Sequence, residues 1–326
     1  MSRIANYGPG LVLTGLLALM SFLLDHFFPL IGSAVFAIIL GMLVGNTWGL
    51  KDNMKPGVTY SGKKLLQYSI IFLGFSLSIQ QVSKVGLSSL GFSLITITIA
   101  FLVALAIGRW FGLSPNLRLL IGFGTAICGG SAIAAASPII EAEEEEVALS
   151  ISTIFLFNVL AVFLFPFFGH LLGMSDADFG LWAGTAINDT SSVVAAAFSY
   201  SRAAGELATI VKLTRALMIV PICLGLVGLR IYRKESQEKV PLRQIFPTFI
   251  LWFLLASLLS SMGFFPSVLI PWAKRGSQFL MAMALAGIGL QVSISQFKAA
   301  GIKPFLTGAL AWIAVALASL FLQGVF

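Results

Sequence analysis

Two related segments combine glycines, hydroxyl groups and a carboxylate within long apolar stretches. Residues 124–137 begin Gly-Thr-Ala-Ile-Cys-Gly-Gly-Ser, and residues 184–197 begin Gly-Thr-Ala-Ile-Asn-Asp-Thr-Ser, so the motif recurs after sixty positions. Irregular backbone inside a membrane is tolerated only where protein shields it or where it lines a wet cavity. The motif therefore predicts two helices that are interrupted at Cys128–Ser131 and at Asn188–Ser192. The free N–H groups of each following half-helix can bind an anion.

The residues of both interruptions are candidates for a substrate-binding site, because they offer backbone N–H groups, hydroxyls and an amide. The candidates are Thr125, Cys128, Gly129, Gly130 and Ser131 in the first segment and Thr185, Asn188, Thr190 and Ser191 in the second. In an alternative interpretation, the small residues merely permit close packing between helices. Because two related copies carry polar residues at the same turn, we favour the binding interpretation.

Two basic residues, Lys212 and Arg215, lie three positions apart and therefore on one face of a predicted helix. Counted from Glu206, they lie roughly 9 and 14 Å along that helix, which is deep for charged side chains in a membrane. Charged groups at such depth are costly and normally face a partner or a cavity. We expect at least one of them to attract a negatively charged substrate; in the alternative, Asp189 neutralises one of them.

Asp189 is the carboxylate at the centre of the second interrupted segment. A buried and poorly paired carboxylate can exchange a proton near neutral pH. Asp189 is therefore the candidate coupling site for a proton or a sodium ion. The same residue is equally suited to act as a fixed counter-ion, and the sequence leaves the two roles open.

The composition assigns these residues to a membrane protein. The chain has 326 residues, of which 58% are apolar and 10% are charged, whereas a soluble domain carries roughly 25% charged residues. This excludes an ordinary soluble enzyme and a disordered chain. A membrane-spanning helix needs about 20 apolar residues, so the predicted fold class is an all-α polytopic membrane protein in a lipid bilayer. The net charge of +7 lies in short segments between apolar runs, which indicates topology and not nucleic-acid binding.

Apolar runs separated by polar breaks predict about 9 full transmembrane helices and 2 interrupted or re-entrant segments, which gives 11 membrane segments. The interrupted segments are residues 117–142 and 178–201. The full spans are Leu11–Phe28, Ile31–Val44, Leu65–Ile79, Leu87–Ile107, Val147–Leu172, Leu207–Leu229, Ile245–Ser260, Phe279–Ile294 and Phe305–Leu322.

Basic residues cluster in four of the segments between apolar runs. They are Lys51, Lys55, Lys63 and Lys64; Arg109 and Arg118; Arg230, Arg233, Lys234, Lys239 and Arg243; and Lys298 and Lys303. Because basic loops remain in the cytoplasm, the N-terminus is predicted to be cytoplasmic and the C-terminus to lie outside. This orientation holds whether the interrupted segments cross fully or turn back, and the sequence leaves that choice open.

A second, weaker repeat links residues 73–80 with residues 286–293, and its two copies run in opposite directions under the predicted orientation. Inverted repeats with discontinuous helices are typical of secondary transporters, which bind their substrates near the membrane midplane. We therefore expect inverted structural repeats in two halves, about residues 30–173 and 178–326. Both halves belong to a single transmembrane transporter domain, residues 1–326.

The residue patterns do not indicate an enzyme, a cofactor or a metal site. The sequence contains no phosphate-binding loop, no G-x-S-x-G motif and no H-E-x-x-H motif. Its two cysteines, Cys128 and Cys223, lie in separate apolar stretches, and two distant histidines make no metal site. We expect a protein without catalytic residues, metals or cofactors.

These motifs resemble those of the sulfate exporter family of bacterial inner-membrane proteins. The resemblance covers nearly the whole chain, and the stretch 129–166 is also distantly similar to the bile acid/sodium symporter and cation/proton antiporter superfamily. It implies a location in the bacterial inner membrane and a transport core that moves against a scaffold. The matching features are Gly-Thr-x-Ile-Cys-Gly-x-Ser-Ala-Ile at 124–133, the acidic stretch before Glu146-Val-Ala148, Trp182-Ala-Gly-Thr-x-Ile187, Lys212-Leu-Thr-Arg215 and Gly-x-Gly-Leu near position 290.

Together these features predict a secondary active transporter of a small anion, of the sulfate, sulfonate or small carboxylate class. It would be coupled to a proton or to sodium and would work by alternating access. Three alternatives remain: an anion channel, an exporter of a neutral or zwitterionic metabolite in which the basic residues are fully paired, and an intramembrane enzyme that uses Asp189 with Asp25 or a histidine. No nucleic-acid partner is expected, and the sequence leaves open whether the protein is a homo-oligomer.

Overall fold

Every regular element in the described part of the chain is a helix, which confirms the predicted all-α fold. The structure, a computed structural model, describes residues 7–27, 32–232, 247–292 and 301–323. A π-helical segment, Ser61–Leu65, and a 3₁₀ helix, Ser267–Leu269, accompany the α-helices. The α-helices are α1 (Gly8–Phe27), α2 (Ser33–Thr47), α3 (Lys55–Tyr60), α4 (Leu66–Gly74), α5 (Ile79–Trp110), α6 (Pro115–Ala126), α7 (Gly130–Ala136), α8 (Glu144–Leu171), α9 (Asp176–Ala186), α10 (Thr190–Tyr200), α11 (Arg202–Leu217), α12 (Ile219–Tyr232), α13 (Thr248–Ser261), α14 (Ile270–Gln291) and α15 (Ile302–Gln323).

Within the described ranges, five helical stretches are long and apolar enough to cross a membrane. They are α1, α5, α8, the stretch Arg202–Leu229 and α15, and the shorter apolar helices α2 and α13 accompany them. The count of 11 membrane segments stays a prediction. Of the basic clusters that predict the orientation, residues 233–243 and Lys298 lie outside the described residues. Lys63 and Lys64 lie in the π-helical segment and not in a loop.

The chain folds into two units, each assembled from segments that are distant in sequence. Unit 1 combines residues 1–84, 198–200 and 248–295, and unit 2 combines residues 85–197, 201–247 and 296–326. Unit 2 therefore contains both Gly-Thr-Ala-Ile motifs and, on α11, Lys212 and Arg215. The predicted halves, 30–173 and 178–326, divide the chain differently and stay a prediction.

In unit 1, helices α2 and α14 approach each other closely at two glycines. A Cβ atom at Gly289 would collide with the carbonyl oxygen of Ile38, and one at Gly41 would collide with the carbonyl oxygen of Ala286. Association of helices in lipid depends on such packing, because the lipid tails are as apolar as the side chains. Glycine at position 289, within the second sequence repeat, therefore serves helix packing.

The break between α4 and α5 is stabilised by serines of α13. Ser257 Oγ donates to the Leu77 carbonyl and Ser260 Oγ donates to the Phe75 carbonyl, both at 2.7 Å. The last carbonyl groups of a helix lack partners within that helix. Hydroxyl groups from a neighbouring helix satisfy the carbonyls at this break.

In unit 2, α9 packs against α11, and α15 packs against α6, α8 and α9. Phe165 of α8 stacks on Trp182 of α9 with 4.2 Å between ring centroids, and Phe157 of α8 lies 5.3 Å from Trp312 of α15. Trp182 Nε1 donates to the Ala316 carbonyl at 3.0 Å. These contacts fix the position of α9, which carries the second Gly-Thr-Ala-Ile motif.

We expect Gly289→Ala to lower the free energy of unfolding by roughly 1–3 kcal/mol, because the added methyl group must separate two closely packed backbones. Gly91→Ala in α5 is the control: a Cβ atom there would contact no other helix of the described residues within 4 Å, and alanine has the higher helix propensity. The control should be at least as stable as the wild type. Thermal unfolding of the purified protein in detergent measures both variants, and equal midpoints would contradict the close packing.

Candidate functional site

The first interruption separates α6 from α7. Helix α6 ends at Ala126 and α7 begins at Gly130, and the Gly129 N–H donates to the Gly124 carbonyl at 3.1 Å. Gly129 has a φ of 67°, in the left-handed region that glycine adopts without steric penalty. A glycine at this position therefore allows the backbone to leave α6 and begin α7.

The second interruption separates α9 from α10 at the same place in the motif. Helix α9 ends at Ala186 and α10 begins at Thr190. Asp189 caps α10, because its carboxylate accepts the Ser191 N–H at 2.9 Å and also the Ser191 hydroxyl. A side-chain acceptor at this position satisfies one of the free N–H groups in the first turn of a helix.

Both interruptions begin earlier than the sequence predicts. They cover residues 127–129 and 187–189, whereas the polar residues predict 128–131 and 188–192. Gly129 and Asp189 precede the first residue of α7 and α10, respectively, so the glycine and hydroxyl residues that follow them are already helical. Gly130, Ser131, Thr190, Ser191 and Ser192 therefore lie in first turns of helices.

The two interruptions meet at Asp189 and Asn158. The Asp189 N–H donates to Oδ1 of Asn158 in α8 at 3.2 Å. A Cβ atom at Gly129 would lie 3.1 Å from the Asp189 Cβ and 3.5 Å from Nδ2 of Asn158. Asn158 is thus a site residue that the repeated motif does not reveal. The available signal is a lone amide within an apolar helix, since polar groups inside a membrane span normally have a partner or a function.

The Lys212 ammonium group joins the two interruptions. Its Nζ donates to the Ile127 carbonyl and to the Ile187 carbonyl, each at 2.8 Å. These isoleucines occupy the same position of the motif, so one cation binds equivalent atoms of both segments. Lys212 is fully buried, at 0% exposure, within the apolar stretch Arg202–Leu229.

Arg215, about one turn further along α11, binds the end of α6. Its Nε donates to the Ala126 carbonyl at 2.5 Å, and its Nη2 donates to the Thr125 carbonyl at 3.1 Å. The last carbonyls of a helix have no intrahelical partner and form the negative end of its dipole. Both cations are therefore held by carbonyl groups at the ends of interrupted helices.

Neither cation forms an ion pair with a carboxylate in the part of the chain that the structure describes, but Asp189 lies close enough to interact electrostatically with Lys212. No Asp or Glu oxygen of these residues lies within 4.0 Å of Lys212 or Arg215, and Asp189 bonds to Ser191 instead. With all three side chains ionised, two positive charges and one carboxylate leave one excess positive charge at the interruptions. Each interruption contributes one helix end of each sign, so the dipole charges largely cancel.

Four polar atoms beside the interruptions have no hydrogen-bond partner among the described residues. They are Oγ1 of Thr125, Nδ2 and Oδ1 of Asn188, and Nη1 of Arg215. A buried polar atom without a partner costs about 1–3 kcal/mol, and nearly all such atoms in native proteins bond to protein or to ordered water. Their location identifies the interruptions as a candidate site for a ligand or for bound water.

The remaining predicted site residues differ in their surroundings. Cys128 lies within the first interruption and is 8% exposed, whereas Ser131 is exposed. Thr185 points away from the interruption: its Oγ1 donates to the Leu181 carbonyl and hydrogen-bonds with Ser319 Oγ of α15, both at 2.6 Å. The described residues include no group of three or more His, Cys, Asp or Glu side chains that could hold a metal ion.

The sequence model of one family matches nearly this whole chain. That family is described as conserved hypothetical protein 698, and the match covers residues 9–308, which include both interruptions and both buried cations. This chain belongs to that family.

Streptococcal relatives match this member of the family over almost their full length. A UPF0324 membrane protein of Streptococcus pneumoniae is 45% identical over an alignment of 332 positions that covers 99% of this chain and 98% of the relative. A UPF0324 membrane protein of Streptococcus agalactiae is 42% identical over an alignment of 326 positions that covers 97% of each chain. One of Streptococcus pyogenes is 45% identical over an alignment of 325 positions that covers 97% of this chain and 96% of the relative. Together with the apolar helices, these relatives support a multi-pass membrane protein.

We expect Lys212→Met to lower the free energy of unfolding by roughly 2–5 kcal/mol, because the Ile127 and Ile187 carbonyls lose a charged donor. Arg202→Met on the same helix is the matched control. Arg202 is half-exposed and pairs with Glu206 at 3.4 Å, so its loss should cost at most about 1 kcal/mol. Unfolding in detergent measures the stability of both variants. An equal loss of stability would show that the carbonyl contacts of Lys212 contribute no more to the free energy of unfolding than the exposed ion pair of Arg202.

Proposed function

We propose that this protein is a secondary active transporter of a small anion of the sulfate, sulfonate or small carboxylate class. The observation that carries the proposal is the pair of fully buried cations, Lys212 and Arg215, which have no carboxylate partner within the described ranges. Burial of unneutralised charge is expensive. An anion bound beside these cations would recover part of that free energy. If the two basic side chains served only to join helix ends, the site would not need an excess of positive charge.

The anion would bind at the interruptions, where donors remain available. Arg215 Nη1, Thr125 Oγ1 and Asn188 Nδ2 lack partners among the described residues. Lys212 has a third N–H beyond the two that bind carbonyl groups. The first turn of α10 adds backbone N–H groups. Charge-assisted hydrogen bonds from such donors are the means by which proteins recognise oxyanions.

A carrier mechanism is consistent with the position of the interruptions. Secondary transporters bind their substrates where discontinuous helices meet, and they expose the site alternately to each side of the membrane. Both interruptions and both cations belong to unit 2, so the proposed core could move without disassembly of the site. The proposal includes inverted repeats and the 11 membrane segments that the sequence predicts.

The likeness of the motifs to sulfate exporters supports an anion as the substrate. Because those exporters are inner-membrane proteins, we propose that this protein is also located in the bacterial inner membrane. The distribution of basic residues supports a cytoplasmic N-terminus and an external C-terminus.

Asp189 is the proposed coupling group, and the contacts of Lys212 favour a proton over sodium. In sodium-coupled carriers, backbone carbonyls at the ends of broken helices coordinate the ion. Here the equivalent carbonyls, those of Ile127 and Ile187, bind the Lys212 ammonium group. A covalently attached cation thus occupies the groups that a sodium ion would use.

Uptake of labelled sulfate or ethanesulfonate into proteoliposomes tests the proposed function. We expect Arg215→Ala to lower uptake by roughly tenfold or more, because a hydrogen bond to a charged group contributes about 1.5–3 kcal/mol. Arg202→Ala, which removes a half-exposed cation from the same helix, should stay within about twofold of the wild type. Unchanged uptake by Arg215→Ala would remove its assigned role, and single-channel currents would contradict a carrier.

Asp189→Asn tests the coupling role. Asparagine is also a good N-cap, so the variant removes the charge while α10 keeps a capping residue. We expect wild-type uptake to respond to an imposed pH gradient and the variant to lose this response. A sodium gradient applied in parallel distinguishes the two coupling ions. If uptake by the variant still responds to the pH gradient as strongly as uptake by the wild type, Asp189 is excluded as the coupling group.

A further inference from the structure

A simple anion would leave part of the Asn188 side chain without a hydrogen-bond partner. The residue is 1% exposed, yet neither Nδ2 nor Oδ1 of its side chain has a partner among the described residues. The residue directly follows Ile187, whose carbonyl binds Lys212. The unpartnered amide therefore belongs to the backbone turn that the buried cation holds.

A ligand that satisfies the whole Asn188 amide by itself must supply a donor as well as an acceptor. One end of an amide donates hydrogen bonds and the other end accepts them. The nitrogen and oxygen of an amide can be assigned in either of two orientations. Because both ends of Asn188 are unpartnered, a donor and an acceptor are needed in either orientation. A fully ionised oxyanion such as sulfate has only acceptor oxygens, so it can satisfy Nδ2 but not Oδ1. A ligand that satisfies both ends must carry an O–H or N–H group.

The charge of the site indicates a ligand with one negative charge. Lys212 and Arg215 supply two buried positive charges, and Asp189 supplies the carboxylate of the interruptions. The helix ends contribute partial charges of both signs, which largely cancel. While Asp189 is ionised, a monoanion neutralises the remaining positive charge, whereas a dianion would leave an uncompensated negative charge in a buried place.

We infer that the site takes a small organic monoanion that carries a hydroxyl group, with its acidic group at the Arg215 and Lys212 donors and its hydroxyl group at Asn188. The inference rests on the proposed anion transport and narrows its substrate class. Hydroxylated sulfonates and hydroxylated carboxylates share this chemistry, and matched probes of each kind separate them.

Pairs of anions that differ by one hydroxyl group test the inference on the purified full-length protein. The pairs are 2-hydroxyethanesulfonate with ethanesulfonate and lactate with propionate, and sulfate represents a dianion. We expect the hydroxylated member of at least one pair to bind about 3- to 10-fold more tightly than its partner, from one additional hydrogen bond. It should also bind more tightly than sulfate. The shift of the thermal unfolding midpoint with anion concentration gives each Kd.

Asn188→Leu removes both polar atoms of the amide and should bind the two members of the preferred pair equally. Thr209→Val is the control, because it removes a buried hydroxyl whose hydrogen bond among the described residues stays within α11, to the Gly205 carbonyl at 2.7 Å. This control should keep the wild-type preference. If Asn188→Leu does not fold, the comparison of anions on the wild-type protein decides by itself.

The outcomes separate this inference from the function on which it rests. Equal binding of both members of each pair, or tighter binding of sulfate than of every monoanion, would overturn the inference and leave anion transport intact. A preference that persists in Asn188→Leu would remove Asn188 from the recognition of the hydroxyl group. If no anion stabilises the wild-type protein, the proposed function itself fails.

Discussion

A single buried ammonium group determines how the candidate site is built. Lys212 Nζ donates at 2.8 Å to the carbonyls of Ile127 and Ile187, which are equivalent atoms of two related interrupted helices. Without this donor, both helix ends would leave carbonyl groups unpaired where water is scarce, and each such group costs several kcal/mol in a membrane interior. The interruptions and the cation therefore depend on each other.

The same constraint explains why the site keeps a positive charge. Backbone carbonyls are dipoles, so they orient a cation without neutralising it, and Arg215 is held by the carbonyls of Ala126 and Thr125 in the same way. A carboxylate beside either cation would stabilise it but abolish the positive potential. Asp189, the carboxylate of the second interruption, instead caps α10 through Ser191. The contacts that hold the cations thus leave their charge available to a ligand.

The local features of this architecture could be predicted from the sequence, and the long-range contacts could not. The repeated Gly-Thr-Ala-Ile motif and the spacing of Lys212 and Arg215 predict two interruptions and two cations on one helix face. The position of each interruption depends on Gly129 and Asp189, which precede the next helix, and not on the polar residues that follow. The contact of Asn158 with Asp189 and the bond of Thr185 to Ser319 join distant segments. Local spacing does not encode such tertiary contacts.

Chemical modification of Cys128 tests the central claim most directly. Both thiols are buried: Cys128, in the first interruption between Ile127 and Gly129, is 8% exposed, and Cys223 in α12 is 0% exposed. Peptide mass spectrometry follows each thiol during reaction with a negatively charged methanethiosulfonate and with a positively charged one of similar size. A buried excess of positive charge predicts that Cys128 reacts roughly tenfold faster with the negatively charged reagent, and that added 2-hydroxyethanesulfonate slows the reaction. Equal rates with the two reagents, unaffected by any anion, would contradict an anion site at the interruptions.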